Sequence, residues 1–95
     1  MPTFAAATSS AHPATAVLDD LEAKLQETLA LLSDVEHAYA ERRARIDGWH
    51  GTERQKERLL AELETLHLKD RGPLVLRLAD LHYRLTRVTI FRTVH

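Results

Sequence analysis

From Leu18 to Ile46 apolar side chains return at alternating intervals of three and four residues. Leu18, Leu21, Leu25, Leu32, Val35, Tyr39 and Ile46 hold the positions, with Thr28 and Arg42 filling the two gaps. An average step near 3.5 residues keeps one stripe of an α-helix facing the same neighbour, as in a coiled coil. The spacing predicts a helix over about residues 15–47 whose seam covers some 30 residues, about 45 Å at 1.5 Å per residue. Its ends agree with its period. Asp19, Asp20 and Glu22 sit near the positive end of the helix dipole, and Arg42, Arg43 and Arg45 crowd the negative end. Gly48 is placed for a left-handed C-cap, after which Trp49 can fold back on the last turn.

Thr52-Glu53-Arg54-Gln55 has the form of a capping box and starts a second helix near Glu53, with Leu59, Leu60, Leu63, Leu66 and His67 on one face. Gly72-Pro73 joins a C-cap glycine to a proline suited to a first helical turn, so the second helix is expected over 53–71 and a third over 73–92. The third carries Leu74, Leu78, Leu81, Leu85 and Val88 on its principal face. Spacing alone leaves open whether Gly72-Pro73 turns the chain or only kinks it. Residues 88–94 are rich in β-branched side chains, which suit a strand. A lone strand has no ladder partner in a helical chain, so continued helix fraying near Thr93 is expected, with a strand formed across a dimer as the alternative. The first 14 residues are mostly Ala, Thr, Ser, Pro and His and read as a disordered arm. The expected fold is therefore all-α: an antiparallel helical hairpin or three-helix bundle with coiled-coil-like packing, one helical domain over 15–95 behind that arm.

Composition narrows the function classes. The 95 residues contain no cysteine, which removes disulfides, thiolate metal sites and thiol nucleophiles. Thirteen basic against fourteen acidic residues give a formal charge of −1, without the global excess that accompanies non-specific nucleic-acid or anionic-membrane binding. No apolar run approaches the 18 or so residues of a membrane span. MPTFAAATSSAHPATA lacks the basic n-region and leucine-rich core of a secretory signal. A soluble, cytoplasmic protein with no membrane partner is the expectation.

Candidate chemistry is sparse. Glu64-Thr65-Leu66-His67 and Asp34-Val35-Glu36-His37 have the carboxylate-x-x-His step used in di-iron bundles. At 100° per residue, however, Asp34 and His37 point about 160° and 140° away from Leu32. Only His67 lies on an apolar face, where a core-edge histidine hydrogen-bonded to a neighbour is the plainer account; His12, His50 and His95 fall in arm, turn and terminus. No serine stands in a glycine-bounded nucleophile turn, and three glycines make no phosphate loop. No catalytic residue, metal ligand or cofactor is assigned, and the protein is not expected to be an enzyme.

Local charge and a second apolar stripe carry more information. Residues 17–47 are predominantly acidic, whereas residues 71–95 hold Arg71, Arg77, Arg84, Arg87 and Arg92 against Asp80 alone. These arginines suit either phosphate contacts or complementarity with the acidic first helix. Leu76, Tyr83 and Ile90 recur at steps of seven, about 140–180° round from Leu81. One helix with two apolar stripes in so short a chain points to an oligomer or partner interface. The expected function is a small non-enzymatic interaction module, an adaptor, chaperone, inhibitor or assembly factor. It would self-associate as a dimer or higher oligomer, or dock on a larger protein, through Leu76, Tyr83, Arg84, Arg87 and Ile90, with Trp49 as the turn residue. The alternative is a helical protein that binds nucleic acid through its C-terminal arginines.

Trp49-His50-Gly51 lies between two predicted helices near the middle of a 95-residue chain. This layout resembles the W-x-G turn and size of the WXG100 secreted helical hairpins, which implies a secreted two-helix hairpin. Two positions depart from that pattern. Tyr83 is followed four residues later by Arg87 rather than an acid, and Gly72-Pro73 stands inside what should be an unbroken second helix.

Overall fold

A computed structural model describes the backbone of residues 13–94 and the side chains of residues 15–91. Two helices account for nearly all of it: α1 (Pro13–Asp47) and α2 (Glu53–Val94), joined by residues 48–52 and packed against each other as a helical hairpin. Helix α1 begins two residues before its expected start. The expected arm therefore lies, up to residue 12, outside the described residues.

The seam of α1 follows the sequence period. Leu21 and Thr28 are buried, and Leu18, Leu25, Leu32, Val35, Tyr39 and Ile46 are half-buried against α2. Thr28 has no accessible surface, and its hydroxyl donates to the Lys24 carbonyl at 2.8 Å, so the one polar side chain in the middle of the seam is satisfied within its own turn. On α2 the matching positions are Lys56, Leu60, Leu63, His67, Leu74, Leu78, Leu81, Leu85 and Val88, of which Leu63 and Leu81 are buried.

The expected break at Gly72-Pro73 does not occur. Helix α2 runs through Pro73 without interruption, so the third helix is the second half of α2 and the molecule is a hairpin. Proline in a helix interior deletes one i→i−4 hydrogen bond, here to the Lys69 carbonyl. Both residues are exposed, so water can reach the freed carbonyl. The seam also crosses this point without changing sides: His67 and Leu78, on either side of it, are eleven residues apart, about three full helical turns. Burial before and after the proline thus holds the helix continuous. Past Leu85 the β-branched residues remain helical to Val94, with the Thr86 and Thr89 hydroxyls bonded back to the His82 and Leu85 carbonyls at 2.8 and 2.9 Å.

The turn corrects a second expectation. No glycine takes a positive φ among the described residues, so Gly48 is not a left-handed cap. Helix α1 instead ends through Gly48 N–H to Ala44 C=O and Trp49 N–H to Ile46 C=O, both 3.1 Å, the second a tightened last turn. The capping box of α2 forms as its sequence implies. Gln55 N–H donates to Thr52 Oγ1 at 3.1 Å, and Thr52 N–H donates to Gln55 Oε1 at 3.2 Å. Lys56 Nζ reaches the Asp47 carbonyl at 3.4 Å, placing a cation over the C-terminus of α1.

Candidate interaction surface

The molecule measures 70 × 35 × 15 Å. An α-helix with its side chains is about 10–12 Å across, so the hairpin is little more than one helix thick and each helix turns its far face to solvent. What those faces carry decides what the chain can bind.

The far face of α1 mixes small and acidic residues, with Ala23, Ala30, Ala40 and Ala44 exposed along it beside Asp19, Asp34 and Glu41. The far face of α2 is different. Before Lys56 and Leu60 the residue two back is charged, Arg54 and Arg58. From Leu63 onward the same count gives Ala61 and Thr65 before Leu63 and His67, then Gly72 and Leu76 before Leu74 and Leu78, with Leu68 in line between them. The series continues with Ala79, Tyr83 and Thr86 before Leu81, Leu85 and Val88, and Ile90 follows. All nine are uncharged, and all but the half-buried Gly72 are exposed. Leu76, Tyr83 and Ile90 retain 73%, 60% and 56% of their accessible surface, and Leu68 is similarly open. The Thr65 and Thr86 hydroxyls are bonded back to Ala61 and His82, so these residues add no unpaired donor. At Gly72 an added β-carbon would meet nothing within 4 Å. The result is an uncharged row about 45 Å long measured along the helix, with a notch near its middle.

Of the residues assigned from sequence, the structure brings Leu76, Tyr83, Arg87 and Ile90 together on this face. The Arg87 guanidinium lies 5.8 Å from the Tyr83 ring centroid. Arg84 sits off the row, paired with Asp80 at 3.1 Å. Sequence reasoning missed Leu68 and the small residues between the large ones. Their signal was the constant offset from the inner seam rather than hydrophobicity.

The remaining arginines divide. Arg71 and Arg77 reach across to α1, pairing with Glu36 at 3.1 Å and Glu27 at 3.7 Å, and so bind the basic half of α2 to the acidic helix. The Arg92 side chain lies outside the described residues.

Midway along the hairpin a polar cluster joins the helices. His67, 13% exposed, stacks on Tyr39 with ring centroids 4.1 Å apart, and its Nε2 lies 3.0 Å from Glu36 Oε1, which also accepts from Arg71. The Tyr39 hydroxyl donates to Glu64 and accepts from Arg43 at 3.0 Å. The phenol and its neighbouring carboxylates favour the charged form of Arg43 and raise its pKa further above an already basic value. His67 is thus a hydrogen-bonded residue at the core edge. The groove beside it, lined by Asp34, Tyr39, Arg42 and Asp70 among others, encloses about 190 Å³ and stays open. Small-molecule sites are typically about 300–1,000 Å³. Among the described residues no three His, Asp or Glu side chains converge as a metal site would require, and no helix is long and apolar enough to cross a membrane.

Trp49 is 43% exposed, and its ring lies directly against Gly51. A β-carbon at residue 51 would overlap three ring atoms, so glycine is needed there for close approach rather than for its backbone angles. No known protein family, curated protein or solved structure matches this chain.

Proposed function

We propose that this chain is a non-enzymatic protein-interaction module: a helical hairpin whose helices pack as a coiled-coil-like pair and whose binding surface is the outward face of α2. The observation that carries this reading is the uncharged row from Ala61 to Ile90, exposed at every position but the half-buried Gly72, on the outward side of a two-helix hairpin. Contiguous exposed apolar surface on a small soluble protein is usually an interface. Leu76, Tyr83 and Ile90 are its large contacts, with Arg87 beside Tyr83. Replacing both Leu76 and Ile90 with Glu should abolish self-association or partner capture, measured by sedimentation and pull-down, while circular dichroism shows the helices retained. Unchanged association and capture in that variant would overturn the reading.

A second reading, a secreted hairpin of the WXG100 kind, draws on the Trp49 ring seated on Gly51 in the interhelical turn and on the unbroken α2. Appearance of the protein in the medium of its native host, lost on Trp49→Ala, would favour it. The nucleic-acid reading has less behind it, because Arg71, Arg77 and Arg84 already hold carboxylates of the same chain. A gel shift that weakens with salt would be its sign.

A further inference from the structure

We infer that the outward row of α2 is built to meet a second copy of itself, antiparallel, about a two-fold axis level with Leu74. This rests on the reading of that row as an interface and adds its occupant and register.

Two independent patterns in α2 point to the same axis. The first is size. In an antiparallel helix pair, residues equally far above and below the axis face each other. With the axis at residue 74, Gly72 faces the partner's Leu76, Thr65 faces the partner's Tyr83, and Leu68 faces the partner's Ala79 to within one residue. These three central layers each set a large side chain against a small one, and the notch at Gly72, where an added β-carbon meets open space, receives Leu76, which is 73% exposed. Farther out Ala61 meets the partner's Thr86 to within one residue, and Ile90 meets the partner's Arg58 beyond the uncharged row. Alternating large and small residues across an interface is what lets helices approach and interdigitate. A parallel pair in register would instead put Gly72 on Gly72 and Tyr83 on Tyr83, leaving holes and collisions in turn.

The second pattern is charge. One flank of the row carries Glu62, Lys69, Asp80 and Arg87, all exposed, with signs that alternate along the helix. Reversing the helix about residue 74 brings Glu62 to the partner's Arg87 and Lys69 to the partner's Asp80, each within one residue of register, and symmetry repeats both pairs. Four opposite-charge contacts result. Within one chain Asp80 pairs with Arg84 at 3.1 Å and Glu62 with Arg58 at 3.6 Å, exposed pairs one helical turn apart of a kind that contributes little, so both acids can exchange them for the partner's bases. The flank of the row beyond Leu68 and Thr86 holds Val75 close to the axis and sets no like charges together. The outward face of α1 carries Ala23, Ala30, Ala40 and Ala44 with Asp19 among them and no repeating large apolar side chain to seat in a notch, which favours α2 against α2 as the contact.

The test uses the full-length chain and sedimentation equilibrium. Lys69→Glu places an acid against the partner's Asp80, and Asp80→Lys places a base against the partner's Lys69, so each alone should weaken dimerisation about tenfold. The double variant restores opposite charges across the axis and should recover most of that loss. Gly72→Leu starts from a position where an added β-carbon meets nothing within 4 Å, so it should keep or raise the hairpin's helicity, yet fill the notch and weaken the dimer about a hundredfold. A monomeric wild type at high micromolar concentration, whose capture of another protein is lost on Leu76→Glu plus Ile90→Glu, would overturn the second-copy inference and leave the interface reading standing. A dimer that is insensitive to Gly72→Leu, or whose double charge variant shows no recovery, would overturn this register.

Discussion

Three side chains show how little freedom single positions have in so thin a molecule. The Trp49 ring occupies the space a β-carbon would need at residue 51. Gly51→Ala should therefore push the indole outward, move its emission to the red and cost about 1 kcal/mol as that apolar cover is lost. Emission and stability unchanged from wild type would mean the ring does not rest on the glycine. Thr28 is fully buried in the seam, and its hydroxyl is bonded only to the Lys24 carbonyl of its own helix. Thr28→Val keeps the shape and removes the polar atom, so chemical denaturation should show stability unchanged or raised by up to about 1 kcal/mol. A loss above that would reveal a role for the hydroxyl beyond its own turn. The sequence placed Thr28 in a seam gap without showing that it would be the most buried residue. Likewise His67 was legible as the one histidine on an apolar face, whereas its stacking on Tyr39 and contact with Glu36 depend on the register of two helices.

Each helix is held by what lies along its length rather than by its local breakers. The three-and-four spacing made α1 readable almost to the residue, and the capping box located the start of α2, because both signals are local. Pro73 misled for the same reason. Its local rule ends or bends a helix, but seam residues bury on both sides of it, His67 before and Leu74, Leu78 and Leu81 after, and that packing offsets one lost hydrogen bond. Pro73→Ala should then restore the bond and raise stability by about 1–3 kcal/mol, read as a higher denaturation midpoint with helicity unchanged. A fall in stability would show that the proline suits the helix geometry the seam demands. Leu63→Ala and Leu81→Ala remove the two buried apolar residues of α2, one on either side of the proline, and should each cost about 2–5 kcal/mol. A cost below about 1 kcal/mol at Leu81 would mean that the second half of α2 is not docked on α1.

At the scale of the whole molecule, a hairpin of two helices has one internal seam and two outward faces. Among the described residues the buried side chains number four, Leu21, Thr28, Leu63 and Leu81. Small domains with so modest a core usually gain their stability from a metal, a disulfide or assembly, and this chain has no cysteine. Assembly through the uncharged row of α2 would supply the missing apolar burial, with the outward face of α1 left to water. Three large residues of that row were legible in the sequence as a heptad repeat. The small residues between them were not, since Ala, Gly and Thr carry no hydrophobic signal until the inner seam is known and the row can be seen two residues behind it. The most direct measurement is the mass of the untagged full-length chain by sedimentation equilibrium from about 1 to 200 μM, alongside the Gly72→Leu variant. The row as a self-complementary surface predicts a wild type approaching twice its 10.8 kDa chain mass and a variant that remains monomeric and helical. A wild type that stays at 10.8 kDa throughout, or a variant that assembles equally well, would contradict it.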